Sequence, residues 1–215
     1  EATLLSGQTS EPQWDFDAGY YSDVEEFKGR AARYRVQQTG TADEPNLKVT
    51  VTSEDGDAGL AKDVRDHIVQ VLRLRDDLNA FYRAFDPSKG DIVTKTFEPL
   101  KGLRLMRGNN LFESLISSIS TQHNSIALWT KSVKLIRDVY GRAVPLPDGS
   151  TIHLFPKPTA LASASEQNLE KTGLAYRSKY VIEAARRVRD GDLNLEELQR
   201  EDYETAKRKL MELPG

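Results

Sequence analysis

The hydrophobic period changes once along this chain, near residue 60, and that change limits the folds open to it. Before it, Phe27–Gln38 and Asn46–Ser53 are rich in Val, Tyr and Thr and roughly alternate, which predicts strands. Gly40–Pro45 suits a hairpin loop between them, and Ser53–Gly59 is a polar break. From Leu60 onward, Val64, Ile68, Val71, Leu72, Leu78 and Phe81 recur at helical spacing. Leu111, Leu115 and Ile119 mark a second helix, with Glu113 and Ser114 on its polar side. A third helix runs from about Ile126 to Tyr140. Its apolar face is Trp129, Val133, Ile136 and Tyr140, with Lys131, Lys134 and Arg137 elsewhere and Gly141 as C-cap. Pro145–Pro158 reads as a loop. Ser163 and Glu166, and again Asn194 and Glu197, have capping-box spacing. Tyr180–Arg189 is a basic amphipathic helix ending near Gly191, and Tyr203–Leu213 is a last helix halted by Pro214. The expected fold is α+β: an antiparallel β domain over residues 1–59 packed on an all-helical bundle over residues 60–215.

Composition excludes several chemistries. Apolar residues make up 38% of the chain, enough for a core, and there is no cysteine. That rules out disulfides, cysteine-ligated zinc, iron–sulfur clusters and a cysteine nucleophile. No apolar run approaches the roughly 18 residues of a membrane span, and no basic segment followed by an apolar one opens the chain. The expectation is an intracellular protein with no membrane partner. Charge is unevenly divided. Residues 1–100 carry 12 Lys+Arg and 19 Asp+Glu, a balance of −7, while residues 101–215 carry 18 and 14, a balance of +4. A polyanion would meet the second half.

The 3 histidines are too scattered for a metal site; His67 falls among acidic residues, where a surface role is expected, and His153 in a Pro-rich loop. No H-E-x-x-H, G-x-S-x-G or P-loop is present. Three segments stand out instead. In Ser117–Ser125 a helix ends in a run of hydrogen-bonding residues and another begins at once. Such a turn can offer side chains to a duplex and backbone N–H groups to phosphate, although an ordinary interhelical turn capped by Asn124 or Ser125 has the same composition. In Gly173–Tyr180, Gly173 lets one helix end and Tyr176-Arg177 starts the next. An aromatic beside a cation suits a wedge into a base stack; the plainer reading is a core tyrosine and a solvated arginine. Lys209–Gly215 runs a helix into Leu-Pro-Gly, the start of a helix-hairpin-helix motif.

Together and in this order, these segments resemble the 8-oxoguanine DNA glycosylases of the helix-hairpin-helix superfamily. Leu5-Ser6-Gly7-Gln8 followed by Trp14 is similar to the Ser-Gly-Gln…Trp signature of that family's N-terminal domain. Leu111–Ala127 is similar to its helix leading to an Asn-rich turn, Thr172–Val181 to its Gly-Leu-Gly-Tyr-Arg segment, and Leu213-Pro214-Gly215 to its hairpin. The resemblance implies base flipping, in which a damaged purine leaves the stack of double-stranded DNA and enters a pocket between the two parts of the protein. It assigns Gly7 to damaged-base recognition through its backbone carbonyl. It assigns His123, Asn124, Tyr176 and Arg177 to wedging and gap filling, and Gln122, Ser125, Lys179 and Gly215 to the DNA backbone. No metal and no cofactor is implied, and a monomer is expected, in the cytoplasm or nucleoid of a prokaryote or the nucleus of a eukaryote.

The family's chemistry uses a lysine amine that attacks C1′, with an aspartate in support. The lysine is expected about four residues past Gly215, so no catalytic residue is expected within these 215 residues. Two departures bear on specificity. His123-Asn124-Ser125 stands where eukaryotic members have three asparagines, and Leu128 where they have an arginine that reads the opposite cytosine. Three other readings stay open: an alkylpurine glycosylase without lyase activity, a non-catalytic DNA-binding module, and a helical protein-interaction domain.

Overall fold

The computed structural model describes residues 3, 6, 8, 14–15, 17–40, 44, 46–84 and 100–214; Gly7 and Gly215 lie outside the described residues. Strands β1 (Trp14–Asp15), β2 (Tyr20–Phe27), β3 (Arg30–Gln38) and β4 (Leu47–Ser53) form an antiparallel sheet in sequence order. The sequence pointed to strands only from Phe27 onward. The run Asp23-Val24-Glu25-Glu26 hides the alternation of β2. The β2–β3 turn is two residues long, Lys28 and Gly29, at φ 52° and 81°, and pairs Phe27 with Arg30. Both turn residues take the left-handed conformation that matches a sheet's twist.

One face of the sheet buries Tyr21, Phe27, Ala32, Tyr34 and Val36 against α1 (Ala61–Val71), whose Val64, Ile68 and Val71 complete this core. Strand residues two apart meet helix residues three or four apart, which is why the period changes where it does. His67 belongs to this packing rather than to the surface. Its ring sits edge-on to Phe27 at 5.3 Å and to Tyr34 at 5.8 Å. The helical pattern breaks after Val71, and α2 (Leu78–Ala84) is a separate short helix.

The second core is helical. It gathers α3 (Leu111–Thr121), α4 (Ile126–Tyr140), α5 (Pro158–Ala162), α6 (Glu166–Leu169), α7 (Ser178–Asp190) and α8 (Leu195–Leu198), followed by α9 (Tyr203–Met211). Ile116, Ile136, Leu161, Leu169, Leu174 and Val181 are fully buried there. Each such aliphatic side chain contributes about 1.5–3 kcal/mol by leaving water. Asn110, Ser125, Ser165, Asn194 and Asp202 cap the helices that follow them by accepting a backbone N–H from three residues on. The cap before α6 is Ser165, not Ser163, which instead ends α5.

The bundle is not all helical. The stretch read as a Pro-rich loop contains a hairpin, β5 (Ala143–Pro145) paired with β6 (Thr151–His153) around a turn with Gly149 at φ 82°. Val144, Leu146, Ile152 and Leu154 bury one side of it against Ala31 and Val24 of the sheet. Arg33 of β3 pairs with Asp148 and donates to Ser150 at 3.0 Å, and Arg142 reaches Glu26 and Glu54. The four prolines of the stretch masked the alternation of these apolar residues. Among the described residues no helix is long and apolar enough to cross a membrane.

Candidate nucleic-acid interface

The turn between α3 and α4 is short and polar. Gln122 leaves the helical region and His123 takes φ 45°, an uncommon conformation for a residue with a Cβ. Ser125 caps α4 through the Leu128 N–H at 3.3 Å, and the Asn124 amide donates to the Ser120 carbonyl at 3.2 Å. His123 and Ser125 are exposed, while Gln122 and Asn124 are half-buried. Ile126 and Leu128, in the first turn of α4, are 69% and 57% exposed. This end of the helix therefore presents alkyl groups to solvent.

The second turn lies between α6 and α7. Gly173 sits at φ 89°, and a Cβ there would meet Ser132 Oγ at 2.7 Å, so both conformation and space require glycine. Ala175 is at φ 51° and ψ −132°, a region that glycine occupies and alanine rarely does. Tyr176 follows and stays 48% exposed, with its ring 4.5 Å from the Arg177 guanidinium carbon. Lys179 is exposed beside it. Arg177, expected to meet DNA, is instead buried. Its Nε donates to the Gln122 carbonyl at 2.7 Å, and its terminal nitrogens donate to the carbonyls of Gln122, of His123 at 3.2 Å and of Leu174 at 3.3 Å. The two turns are thus brought together, with Arg177 between them.

A cavity of about 330 Å³ opens next to the first turn. Its walls come from the sheet (Tyr21 and Asp23), from Gln8 and Met106, and from α3 and α4 (Ser117, Thr121, Trp129). Thr121 ends α3, so the cavity and His123 are two residues apart. The volume lies within the range of small-molecule pockets, roughly 300–1,000 Å³. Gln8 fixes one edge of it, accepting from the Met106 N–H at 2.7 Å and donating to the Arg104 carbonyl at 2.9 Å. Trp129 Nε1 donates to Ser117 Oγ at 3.0 Å, which holds the indole against the opposite wall.

An ionic cluster forms the floor. Arg137 of α4 bridges Glu113 of α3 at 2.5 Å and Asp23 of β2 at 3.5 Å, and all three are buried. Tyr21 Oη donates to Asp23 at 2.6 Å, Asn109 donates to the same carboxylate, and Tyr34 Oη donates to Asn109 at 3.0 Å. Burial pushes the Tyr21 and Tyr34 hydroxyls well above the usual phenol range, so they remain donors. Burial also raises Glu113 to about 7, with Arg137 opposing and Asp23 adding to the rise. The sequence placed Glu113 and Arg137 on polar surfaces. Arg137 is four residues past Val133 and next to Ile136, so it lies on the inward stripe, and that position was the available signal.

No family model matches the chain. A probable N-glycosylase/DNA lyase of Methanothermobacter thermautotrophicus is 27% identical over 234 residues, covering all of this chain and 71% of that protein. The N-glycosylase/DNA lyase of Saccharomyces cerevisiae is 29% identical over 189 residues, covering 86% of this chain and 48% of that one. The chain is thus similar to N-glycosylase/DNA lyases, in the first case along its whole length. Solved structures share the fold. MBOgg1 in complex with a low-affinity DNA ligand superposes with a TM-score of 0.80 at 23% identity, over 99% of this chain and 66% of that one. The apo 8-oxoguanine glycosylase/lyase of Clostridium acetobutylicum gives 0.74 at 20% identity, over 99% and 67%. This chain therefore spans about two thirds of those solved chains and about half of the yeast relative.

Proposed function

We propose that this protein is a base-excision-repair DNA glycosylase that flips a damaged purine, 8-oxoguanine, out of double-stranded DNA, with associated AP-lyase activity. One observation carries the reading: a base-sized cavity opens beside two adjoining turns that present exposed His123 and Tyr176. Extrusion of a base costs a few kcal/mol, and side chains that fill the vacated stack offset it. Tyr176 has the flat, half-exposed ring a wedge needs, and His123 is positioned to occupy the gap. Asn124 supports the turn from within through Ser120. Gln122, Ser125 and Lys179 lie where the flanking phosphates would pass, with Lys179 as the cation. Gly7 would recognise the damaged base and Gly215 would offer its backbone to a phosphate, as the family's pattern implies. The protein acts as an intracellular monomer in this reading.

The test uses the full-length protein and duplexes that each carry one lesion, with and without borohydride. A covalent adduct trapped on 8-oxoguanine supports the proposal. Release of alkylated bases without trapping replaces it with an alkylpurine glycosylase. Tyr176→Ala is expected to slow single-turnover excision from duplex at least ~10-fold, because misplacement of a positioning group by about 1 Å can cost 10²-fold. Its thermal midpoint should stay near that of the parent, and unchanged excision would remove Tyr176 from the interface.

A further inference from the structure

Three carbonyls converge on one guanidinium between the two turns. Four of the five Arg177 N–H groups go to the carbonyls of Gln122, His123 and Leu174. Gln122 and His123 lie just beyond the end of α3, where carbonyls lack an intrahelical partner. His123 is held at φ 45° on one side of the arginine, and Ala175 at φ 51° on the other. The exposed Tyr176 ring lies over the same guanidinium. A buried arginine so bonded is a strut between two strained turns.

We infer that Arg177 is a positioning residue: it fixes the spacing of His123 and Tyr176 so that the two enter a duplex as one rigid wedge. The inference rests on the base-flipping reading and adds to it the part that sets the wedge's geometry. Lysine cannot replace the strut, because a single ammonium lacks the planar fork that reaches several carbonyls at once. A residue that merely held phosphate would be replaced well by lysine and would contribute to the salt dependence of binding.

The experiment places 2-aminopurine next to 8-oxoguanine in a duplex and follows its fluorescence by stopped flow with full-length protein. Wild type, Arg177→Lys, Arg177→Met, Tyr176→Ala and the Arg177→Lys/Tyr176→Ala double variant are compared, and affinity is measured against salt. Arg177→Lys is expected to slow the fluorescence rise at least ~10-fold, with the salt slope unchanged and faster amide exchange at residues 122–124. In the Tyr176→Ala background the same change should cost less than about twofold, since it acts through that ring. Three results overturn the inference alone: a wild-type rise rate in Arg177→Lys, equal losses in both backgrounds, or a salt slope lowered by about 0.9 in Arg177→Met and restored by lysine. If Arg177→Met does not fold, the lysine variant and the double variant still decide. A wild-type protein with no fluorescence rise overturns the base-flipping reading as well.

Discussion

Ala175 holds a strained backbone in the turn before α7. Its φ of 51° with ψ −132° falls where the resembled family carries glycine, and non-glycine residues held in such regions cost about 1–3 kcal/mol. Ala175→Gly is expected to stabilise the protein by about 1 kcal/mol, because relief of strain outweighs the extra freedom of the unfolded chain. Urea denaturation would show it as a higher midpoint with the slope unchanged; a lower midpoint would mean the turn relaxes in solution. Leu128 carries a specificity prediction. An alkyl group that is 57% exposed cannot donate to a base edge, and Arg177 is already committed to carbonyls. Excision should therefore vary with the opposite base by much less than the ~5- to 150-fold that a good bidentate contact of about 1–3 kcal/mol gives. Kinetics on four duplexes differing only at that base would test it, and a strong cytosine preference would sink it.

Among the elements, periodicity made the helices readable and failed where charge interrupted it. α4 was legible end to end because its apolar stripe repeats through Val133, Ile136 and Tyr140. β2 was not, since its Glu25 and Glu26 take side-chain partners far along the chain, Asn110, Arg142 and Lys157. The β5–β6 hairpin was missed for a similar reason: its apolar residues make sense only against Ala31. The junction of α4 and this hairpin is tight. Gly141 has an ordinary extended backbone, but a Cβ there would fall 2.0 Å from the Leu154 carbonyl oxygen and 2.4 Å from that of Arg137. Gly141→Ala should destabilise by about 1–3 kcal/mol through forced backbone shifts. A thermal midpoint within error of the parent would show that the junction opens freely.

At the scale of the whole molecule, Arg137 joins the sheet to the helices beneath the cavity. Removing it by Arg137→Met would leave Asp23 and Glu113 buried without their common cation, at a cost of about 3–5 kcal/mol. Glu113 also gives stability a pH dependence. Its folded value of about 7 exceeds the 4.5 of an exposed glutamate, so between these values the folded chain keeps a proton that the unfolded chain has lost. Stability contributed by this group is thus complete below pH 4.5 and falls as pH rises toward 7, by about 1 kcal/mol per unit. Urea midpoints across that window should decline in the parent and decline less in Glu113→Gln; identical slopes would place the titration elsewhere. None of this cluster could be read from the sequence, where Asp23 precedes the first recognisable strand and Glu113 sits on the polar side of its helix. The interface fared differently. The segments around His123 and Tyr176 were visible as motifs, but the direction of the Arg177 side chain depends on where α3 ends, which only the packing decides.

The hairpin that closes over the sheet has a consequence in time. β4 ends at Ser53 and β5 begins at Ala143, about 90 residues later in synthesis. At the ribosome's rate of roughly 5–20 residues per second, Ala31 and Val24 wait about 5–20 seconds for their cover. For that interval the nascent sheet carries Arg33 and Glu26 on the same side as a small apolar patch. The charges that later tie down the hairpin are, until it arrives, what keeps that patch from meeting another chain.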